Sequence, residues 1–249
     1  IDWCTGTVRD HFHGGAAARR ARKHAARDHY RASGVPLSES AAEQLEAELA
    51  AEGRARQSAP IRLLDVGSCG FLFGGAAGIE CTALDLCPQD ERTFRADFLK
   101  LRVGACDEPF GIVSGDGGDE QQSSMSASSD GKVDTAAAAP TPPPPPRGAS
   151  AGRVESLPAA HFDAVVFSLV FSYLPLAQQR AQMVAKARQL LRGACTPFPG
   201  LLLIVDTFSS LGSRSGALKG DSAVLGEWVR TIESLGFELI SRRTLERTH

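Results

Sequence analysis

The chain has 249 residues, 43% of them hydrophobic and 22% charged, with a formal net charge of −2. These values are ordinary for one globular domain, and the charge excludes a generally basic nucleic-acid coat, so an RNA contact would need a local patch. No apolar run approaches the roughly 20 residues that span a bilayer, so we expect no membrane segment. The six cysteines form no C-x-x-C pair. This spacing argues against a metal site and predicts buried free thiols, as is typical of an intracellular protein.

The first 60 residues predict a helical, partly basic segment. Residues 11–34 are rich in Ala and Arg, and a second Ala-rich stretch begins at a candidate capping box, Ser40 and Glu43. The basic side chains of the first stretch are Arg19, Arg20, Arg22, Lys23, Arg27 and Arg31. The cluster is compatible with a phosphate-binding patch or with a solvated helix face, and the sequence alone leaves both open.

From residue 61 onward, apolar runs alternate with helical stripes. The predicted strands cover 61–67, 79–86, 93–99, 162–174, 200–208 and 237–245. Pro175 opens a helix that ends at Gly193, and a later helix ends at Gly236. Their apolar stripes consist of Met183, Val184, Ala187, Leu190 and Leu191, and of Leu225, Trp228, Ile232 and Leu235. This alternation predicts an α/β fold with a mostly parallel central sheet and helices on both faces.

The composition changes abruptly from about Gly104 to Pro158. This stretch is rich in Gly and Ser and contains a run of prolines. It can bury too little apolar surface to offset the entropy lost on ordering. We therefore predict a disordered insertion at about 104–158 within a domain that spans 61–249.

The central motif is LLDVGSCG, residues 63–70, which covers the end of the first predicted strand and the turn after it. In open parallel sheets, ligands bind beyond the carboxyl ends of the strands. There Gly67 would let the backbone approach a nucleotide, and Asp85 would accept hydrogen bonds from ribose hydroxyls. The glycines do not follow the G-x-G-x-x-G pattern of dinucleotide folds. Asp65 makes the turn acidic, which suits the positive charges of S-adenosylmethionine (SAM). The alternative is a tight turn without a ligand.

Polar residues also lie at the ends of the later predicted strands. In the SAM interpretation, the Asp97 carboxylate accepts from the adenine amine and the Phe98 N–H serves the adenine ring; the alternative is a solvated loop. The candidates at the ends of the fourth and fifth strands are Ser168, Ser172, Tyr173 and Asp206. Each of these side chains could instead bond only to nearby backbone.

The combination of LLDVGSC, the D-F-L after the third strand, VVFSLVFSYLP, GLLLI and IESLGF resembles the SAMTOR family, and the opening IDWC is also similar. That family includes both the animal SAM sensor of the TOR pathway and the fungal adenine-N1 methyltransferase of large-subunit ribosomal RNA. The resemblance implies a Rossmann-like class I methyltransferase fold with SAM as cofactor. By the family pattern, the SAM contacts are Gly67, Asp85, Asp97, Phe98 and Ser168.

Two departures from the family pattern lead to further expectations. The stretch after the first strand is short and Gly-rich, which predicts a stunted helix there. The family continues into a final strand beyond His249, so we expect the chain to be truncated before that strand.

The resemblance implies two functions. The first is a SAM-dependent methyltransferase that modifies N1 of an adenine in large-subunit ribosomal RNA, in the nucleus or nucleolus. The chain lacks the N/D-P-P-Y motif of adenine-N6 enzymes, and a ring nitrogen with a free lone pair needs no strong base. We therefore assign no catalytic residue and keep Ser168, Ser172 and Tyr173 as candidates. The alternative is a non-catalytic, cytoplasmic SAM sensor with a protein partner of the TOR pathway. An NAD-dependent dehydrogenase is a third possibility on this fold.

Overall fold

The computed structural model describes residues 1–13, 15–113, 152–193, 198–207 and 223–243. Within them, one sheet contains eight strands: β1 (Ile61–Val66), β2 (Ile79–Asp85), β3 (Phe94–Arg95), β4 (Arg102–Gly104), β5 (Gly111–Val113), β6 (Arg153–Pro158), β7 (Ala164–Ser168) and β8 (Leu201–Val205). Seven strands lie in the order β4-β6-β3-β2-β1-β7-β8, and every neighbouring pair in this order is parallel. The remaining strand, β5, pairs with β6 in antiparallel orientation. The predicted α/β fold with a mostly parallel, Rossmann-like sheet is confirmed.

Five helices accompany the sheet in the described part of the chain: α1 (Asp2–Phe12), α2 (Ala16–Ser33), α3 (Glu39–Gln57), α4 (Ala177–Leu190) and α5 (Ala223–Ser234). A single 3₁₀ turn, Val170–Tyr173, follows β7. The turn before α3 differs from the prediction. Its cap is Ser38, whose hydroxyl accepts from the N–H of Ala41, because Ser40 already lies inside the helix.

Side chains on the two faces of the sheet form two separate cores. Leu64 and Val165 belong to the core that includes the predicted stripe of α4, and Trp228 of α5 packs against the same core. Leu63 and Val166, which alternate with them along β1 and β7, belong to the core that contains α1. Helices therefore cover both faces, as predicted.

The N-terminal helices are tied to the sheet by packing and by a buried charge network. Val8 and Phe12 of α1 are buried in the same core as Leu63. The Arg56 guanidinium lies 5.7 Å from the centre of the Phe12 ring and 5.4 Å from that of Phe198. It also donates to Asp163 Oδ1 at 2.9 Å. This network is at the amino end of β7, opposite the edge where parallel sheets bind ligands.

The predicted limits of the insertion, 104–158, were too wide at both ends. Gly104 is the last residue of β4, and β5 and β6 also fall within the predicted limits of 104–158. These short strands are stabilised by sheet pairing that local composition does not reveal. The prediction of disorder for 114–151 lies outside the described residues.

Two predicted strands were too long, and a third is absent from the described residues. Strand β3 ends at Arg95, because the chain turns back at Asp97. Strand β7 ends at Ser168, because Leu169 adopts a left-handed conformation with φ of 61°. Residues 237–243 form no strand, because they line a cavity along β8 and do not pair with it, and 244–245 lie outside the described residues.

The prediction of buried cysteines was only partly right. Cys4 is buried, but Cys69, Cys87 and Cys106 are exposed, because they lie in turns and loops at the ends of strands. Cys195 lies outside the described residues. The prediction of a stunted helix after the first strand is confirmed, because residues 67–78 form only turns.

Candidate functional site

The carboxyl edge of the sheet brings together the residues predicted to contact SAM. Strand β1 lies between β2 and β7, and Val66 is level with the last residue but one of both neighbours. Gly67, Asp85 and Ser168 are therefore adjacent at the same edge. The N–H of Ala96 donates to the Asp85 carbonyl at 2.9 Å and leads the chain into the Asp97 turn beside them.

Gly67 makes the turn that opens this edge. Its φ of 85° is a conformation that other residues adopt only at a cost. A Cβ atom at this position would lie 3.2 Å from Cβ of Val170 and 3.5 Å from the Ser168 carbonyl oxygen. The N–H groups of Gly67 and Ser68 both donate to the Leu84 carbonyl, at 2.9 and 3.1 Å. Any larger residue here would therefore be strained and would press against Val170.

Asp65 is a fully buried carboxylate directly before this turn. Burial raises its pKa from 3.8 to about 6; the nearby Ser68 hydroxyl opposes this rise and the charge of Asp85 adds to it. Among the described residues, neither carboxylate oxygen of Asp65 nor the hydroxyl of Ser68 has a partner at hydrogen-bonding distance and angle. Buried polar groups without partners are rare in proteins and often mark functional sites. Asp65 could be identified from the sequence, whereas Ser68 could not, because its only sequence signal is its place within the Gly67 turn.

Asp85 ends β2 and is partly exposed. Its Oδ1 accepts from the N–H of Cys87 at 2.7 Å, which fixes the carboxylate at the edge of the sheet. The same loop is joined to the first one, because the N–H of Gln89 donates to the Cys69 carbonyl at 3.1 Å. A carboxylate held this way retains an oxygen that can accept from a ligand hydroxyl.

Asp97 and Phe98 lie in a tight turn after β3. Asp97 Oδ1 accepts from the N–H of Leu99 at 3.1 Å, and the Phe98 ring is buried against Phe167 with ring centres 5.6 Å apart. The N–H of Phe98 has no acceptor within the described part of the chain. The Asp97 carboxylate and this N–H together offer one acceptor and one donor, the pair that an adenine edge requires.

The hydroxyl candidates after β7 differ in their surroundings. Ser168 is half-buried beside Gly67, whereas Ser172 is exposed and its hydroxyl donates to the Leu169 carbonyl at 2.6 Å. Tyr173 is 83% exposed. Ser172 thus serves the backbone of the 3₁₀ turn, and only Ser168 lies level with the predicted SAM contacts.

Asp206 lies apart from the residues predicted to contact SAM. It lines a cavity of about 640 Å³ along the outer edge of β8, together with Trp3, Arg192 and Trp228. None of the five residues predicted to contact SAM lines this cavity. The chemistry at the carboxyl edge therefore points to a site other than this cavity.

The basic cluster of α2 is mostly engaged within the protein. Arg22 pairs with Glu46 of α3, and Arg20 contacts the His11 ring. Arg27 and Arg31 both lie within 4.0 Å of Asp28. This pattern is typical of a helix face that is partly neutralised, and it weakens the case for a phosphate-binding patch.

In the described ranges, no group of three His, Cys, Asp or Glu side chains is arranged to hold a metal ion. The helices in those ranges include none with the length and apolar character needed to cross a membrane.

No family model matches the chain. It is 28% identical over 239 residues to a protein of Danio rerio named S-adenosylmethionine sensor upstream of mTORC1, covering 96% of this chain and 50% of that protein. Proteins of the same name from Xenopus laevis and Xenopus tropicalis are 27% and 26% identical over 258 and 251 residues, covering all of this chain and 53% of each relative.

The chain is similar to SAM sensors of vertebrates. The resemblance to the SAMTOR family inferred from the motifs is thereby confirmed. The chain spans about half the length of the curated relatives it matches.

Proposed function

We propose that the carboxyl edge of this sheet binds SAM and that the protein is a SAM sensor acting through a protein partner of the TOR pathway. The observation that carries the proposal is the fully buried carboxylate of Asp65, which has no hydrogen bond of normal geometry. It lies two residues before the left-handed Gly67, at the edge of the sheet where Asp85 ends β2. A buried anion without a partner favours a cationic ligand. SAM carries a sulfonium and an ammonium group, and it supplies an electrophilic methyl group when bound.

The residues present fit this ligand. Gly67 has no side chain that could hinder a ligand from approaching its backbone, and Asp65 offers the negative charge that the cationic end of SAM needs. Asp85 would accept from the ribose hydroxyls, while Asp97 and the Phe98 N–H would hold the adenine. Ser168 completes the set at the end of β7. A dinucleotide is a poorer fit, because the buried charge of Asp65 would repel a pyrophosphate.

The sensing role is supported by the names of the relatives and by the surface of the chain. All three relatives compared above are named as SAM sensors upstream of mTORC1. A sensor needs the SAM pocket without an RNA-binding surface, and most arginines of α2 are engaged by acidic or imidazole partners.

The first test is SAM binding by the intact protein. Calorimetry should detect binding of SAM and S-adenosylhomocysteine but not of NAD, and ligand at 100 times its dissociation constant should raise stability by about 2.7 kcal/mol. Asp85→Ala should abolish or strongly weaken binding, whereas Asp107→Ala, at an exposed loop position, should leave it unchanged. Absence of a heat signal with SAM in the wild type would remove the proposal.

The second test addresses the sensing role. Pull-downs from cells with and without SAM should show a partner that is gained or lost with the ligand, and Asp85→Ala should remove this dependence. Identical partners in both conditions would contradict the sensor function while leaving SAM binding intact.

A second candidate function is methylation of adenine N1 in large-subunit ribosomal RNA. One observation favours it: Tyr173 is 83% exposed in the turn after Ser168, where an aromatic ring could stack on an unpaired base. In this function the chain would act by positioning the two reactants and excluding water. Purified protein incubated with tritiated SAM and large-subunit ribosomal RNA should then label one adenine of that RNA and create a reverse-transcription stop there. Tyr173→Ala should reduce labelling. No labelling at saturating SAM would exclude this candidate.

A further inference from the structure

Lys186 of α4 makes an unusual set of contacts with the loop after β3. Its ammonium group donates to three backbone carbonyls, those of Phe98, Leu99 and Leu101, at 2.8, 2.7 and 2.6 Å. An ammonium group has three donors, so all of them are used within one loop. The same nitrogen lies 5.7 Å from the centre of the Phe98 ring.

The loop held by Lys186 is the turn that carries Asp97. The N–H groups of Lys100 and Leu101 both donate to the Asp97 carbonyl at 2.9 Å, and the Asp97 side chain accepts from Leu99. The turn therefore closes on itself at Asp97 and leaves three carbonyls together on one side. Without a cation there, three partly negative oxygens would lie close together without a donor.

We propose that Lys186 is a positioning residue for adenine recognition: it sets the turn in which the Asp97 carboxylate and the Phe98 N–H meet the adenine edge. The inference rests on the proposed function, because it assigns a role within the SAM site. Lys186 itself does not contact the ligand. It acts from α4 through three hydrogen bonds to the recognition loop.

The geometry is specific to lysine. A methionine has a stem of similar length that can pack beside Phe98, but it donates no hydrogen bond. An arginine keeps the charge, but its planar guanidinium spreads its donors over a fork and cannot direct three of them from one nitrogen. Lys186→Met and Lys186→Arg therefore remove the three-carbonyl contact in two different ways.

The experiment measures discrimination between adenine and a purine without the 6-amino group. Affinities for S-adenosylhomocysteine and for its purine-riboside analogue, which lacks only the 6-amino group and keeps N1 as an acceptor, are compared by calorimetry in the intact protein. The wild type should prefer the adenine ligand by at least about tenfold, since the hydrogen bond from the amino group to a carboxylate is lost with the analogue. Lys186→Met should reduce this ratio toward one. Lys23→Met, at an exposed position on α2, should leave it unchanged.

A ratio of affinities separates positioning from general stability. A variant that merely unfolds more easily binds both ligands less well and keeps the ratio. If Lys186→Met does not fold, Lys186→Arg decides, and its ratio should also fall several-fold. Asp97→Ala should bring the ratio close to one, and adding Lys186→Met to it should have no further effect.

The outcomes distinguish the two proposals. A wild type that binds neither ligand contradicts the SAM function itself. A wild type that binds both equally shows that Asp97 does not recognise the amino group, and this overturns the inference. A discriminating wild type with an unchanged ratio in both Lys186 variants also overturns it, while SAM binding stands.

Discussion

Replacing Asp65 by Asn should stabilise the ligand-free protein and weaken its binding of SAM. Asp65 is fully buried, and burial raises its pKa from 3.8 to about 6. A carboxyl group whose pKa is higher in the folded state binds its proton more tightly there. The free energy of unfolding therefore falls as the pH rises from about 4 to about 6, and it stays low above that range.

The size of this effect follows from the shift. At 1.36 kcal/mol per pKa unit, a change from 3.8 to about 6 corresponds to about 3 kcal/mol. Asn has nearly the same shape but no charge, so its contribution to stability does not change over this pH range. The advantage of Asp65→Asn over the wild type should therefore grow by about 3 kcal/mol between pH 3.5 and pH 8, whatever the cost of burying the amide.

Urea unfolding of both proteins across this pH range measures that growth. Effects of other titrating groups cancel, because both proteins share them. Asp107→Asn, at an exposed position, is the control for the loss of one carboxylate. In calorimetry at pH 7.5, Asp65→Asn should bind SAM at least about tenfold more weakly, because the charge opposite the cationic group is lost. A stability difference that does not vary with pH, or unchanged SAM affinity, would refute the reasoning.

Three other substitutions test separate parts of the structure. Burial and the Arg20 charge lower the pKa of His11 from 6.5 to about 4, so its neutral form is required. Its contribution to stability should fall by roughly 2 kcal/mol between pH 7 and pH 5. Urea unfolding of the wild type and of His11→Gln measures this fall, and an equal pH dependence of the free energy of unfolding in both proteins would contradict it. Gly67→Ala, with φ of 85° and Val170 at 3.2 Å, should cost about 1–2 kcal/mol and weaken SAM binding in calorimetry; a neutral effect on both would be unexpected. Asp163→Ala leaves the surrounding guanidinium groups without their counter-charge and should cost about 3–5 kcal/mol in denaturant unfolding. At a temperature where the variant is folded, its SAM affinity should match the wild type, and a loss would place the network near the ligand.

The long central strands could be predicted from the sequence because burial on both faces requires a continuous apolar run. This is why β1 and β7 were located from their composition alone. The site followed from the same logic, since parallel strands bring their carboxyl ends to one edge and place Gly67, Asp85 and Ser168 side by side. The end of β7 was misjudged because the left-handed conformation of Leu169 has no signal in an apolar run.

The remaining elements depend on contacts between distant parts of the chain. Strands β4 and β5 have only three residues each and are stabilised by β6, and the stretch that contains β5 and β6 has the composition of a loop. Helix α1 carries few large apolar residues, yet Val8 and Phe12 are buried because a complementary face of the sheet is available. The role of Lys186 was likewise hidden, because its acceptors are backbone carbonyls that no sequence pattern reveals.

The antiparallel pairing of β5 with β6 has a consequence for how this chain tolerates change. Val113 lies opposite Arg153, so the chain leaves the sheet and returns to it at neighbouring points. Because the two ends of this connection are held next to each other, each doubling of its length costs only about 0.6 kcal/mol in closure entropy. Evolution can therefore lengthen or shorten the stretch between these two residues, and an engineer can insert a tag or a reporter domain there. Strands β1, β7 and β8, at the other end of the sheet, should keep their geometry.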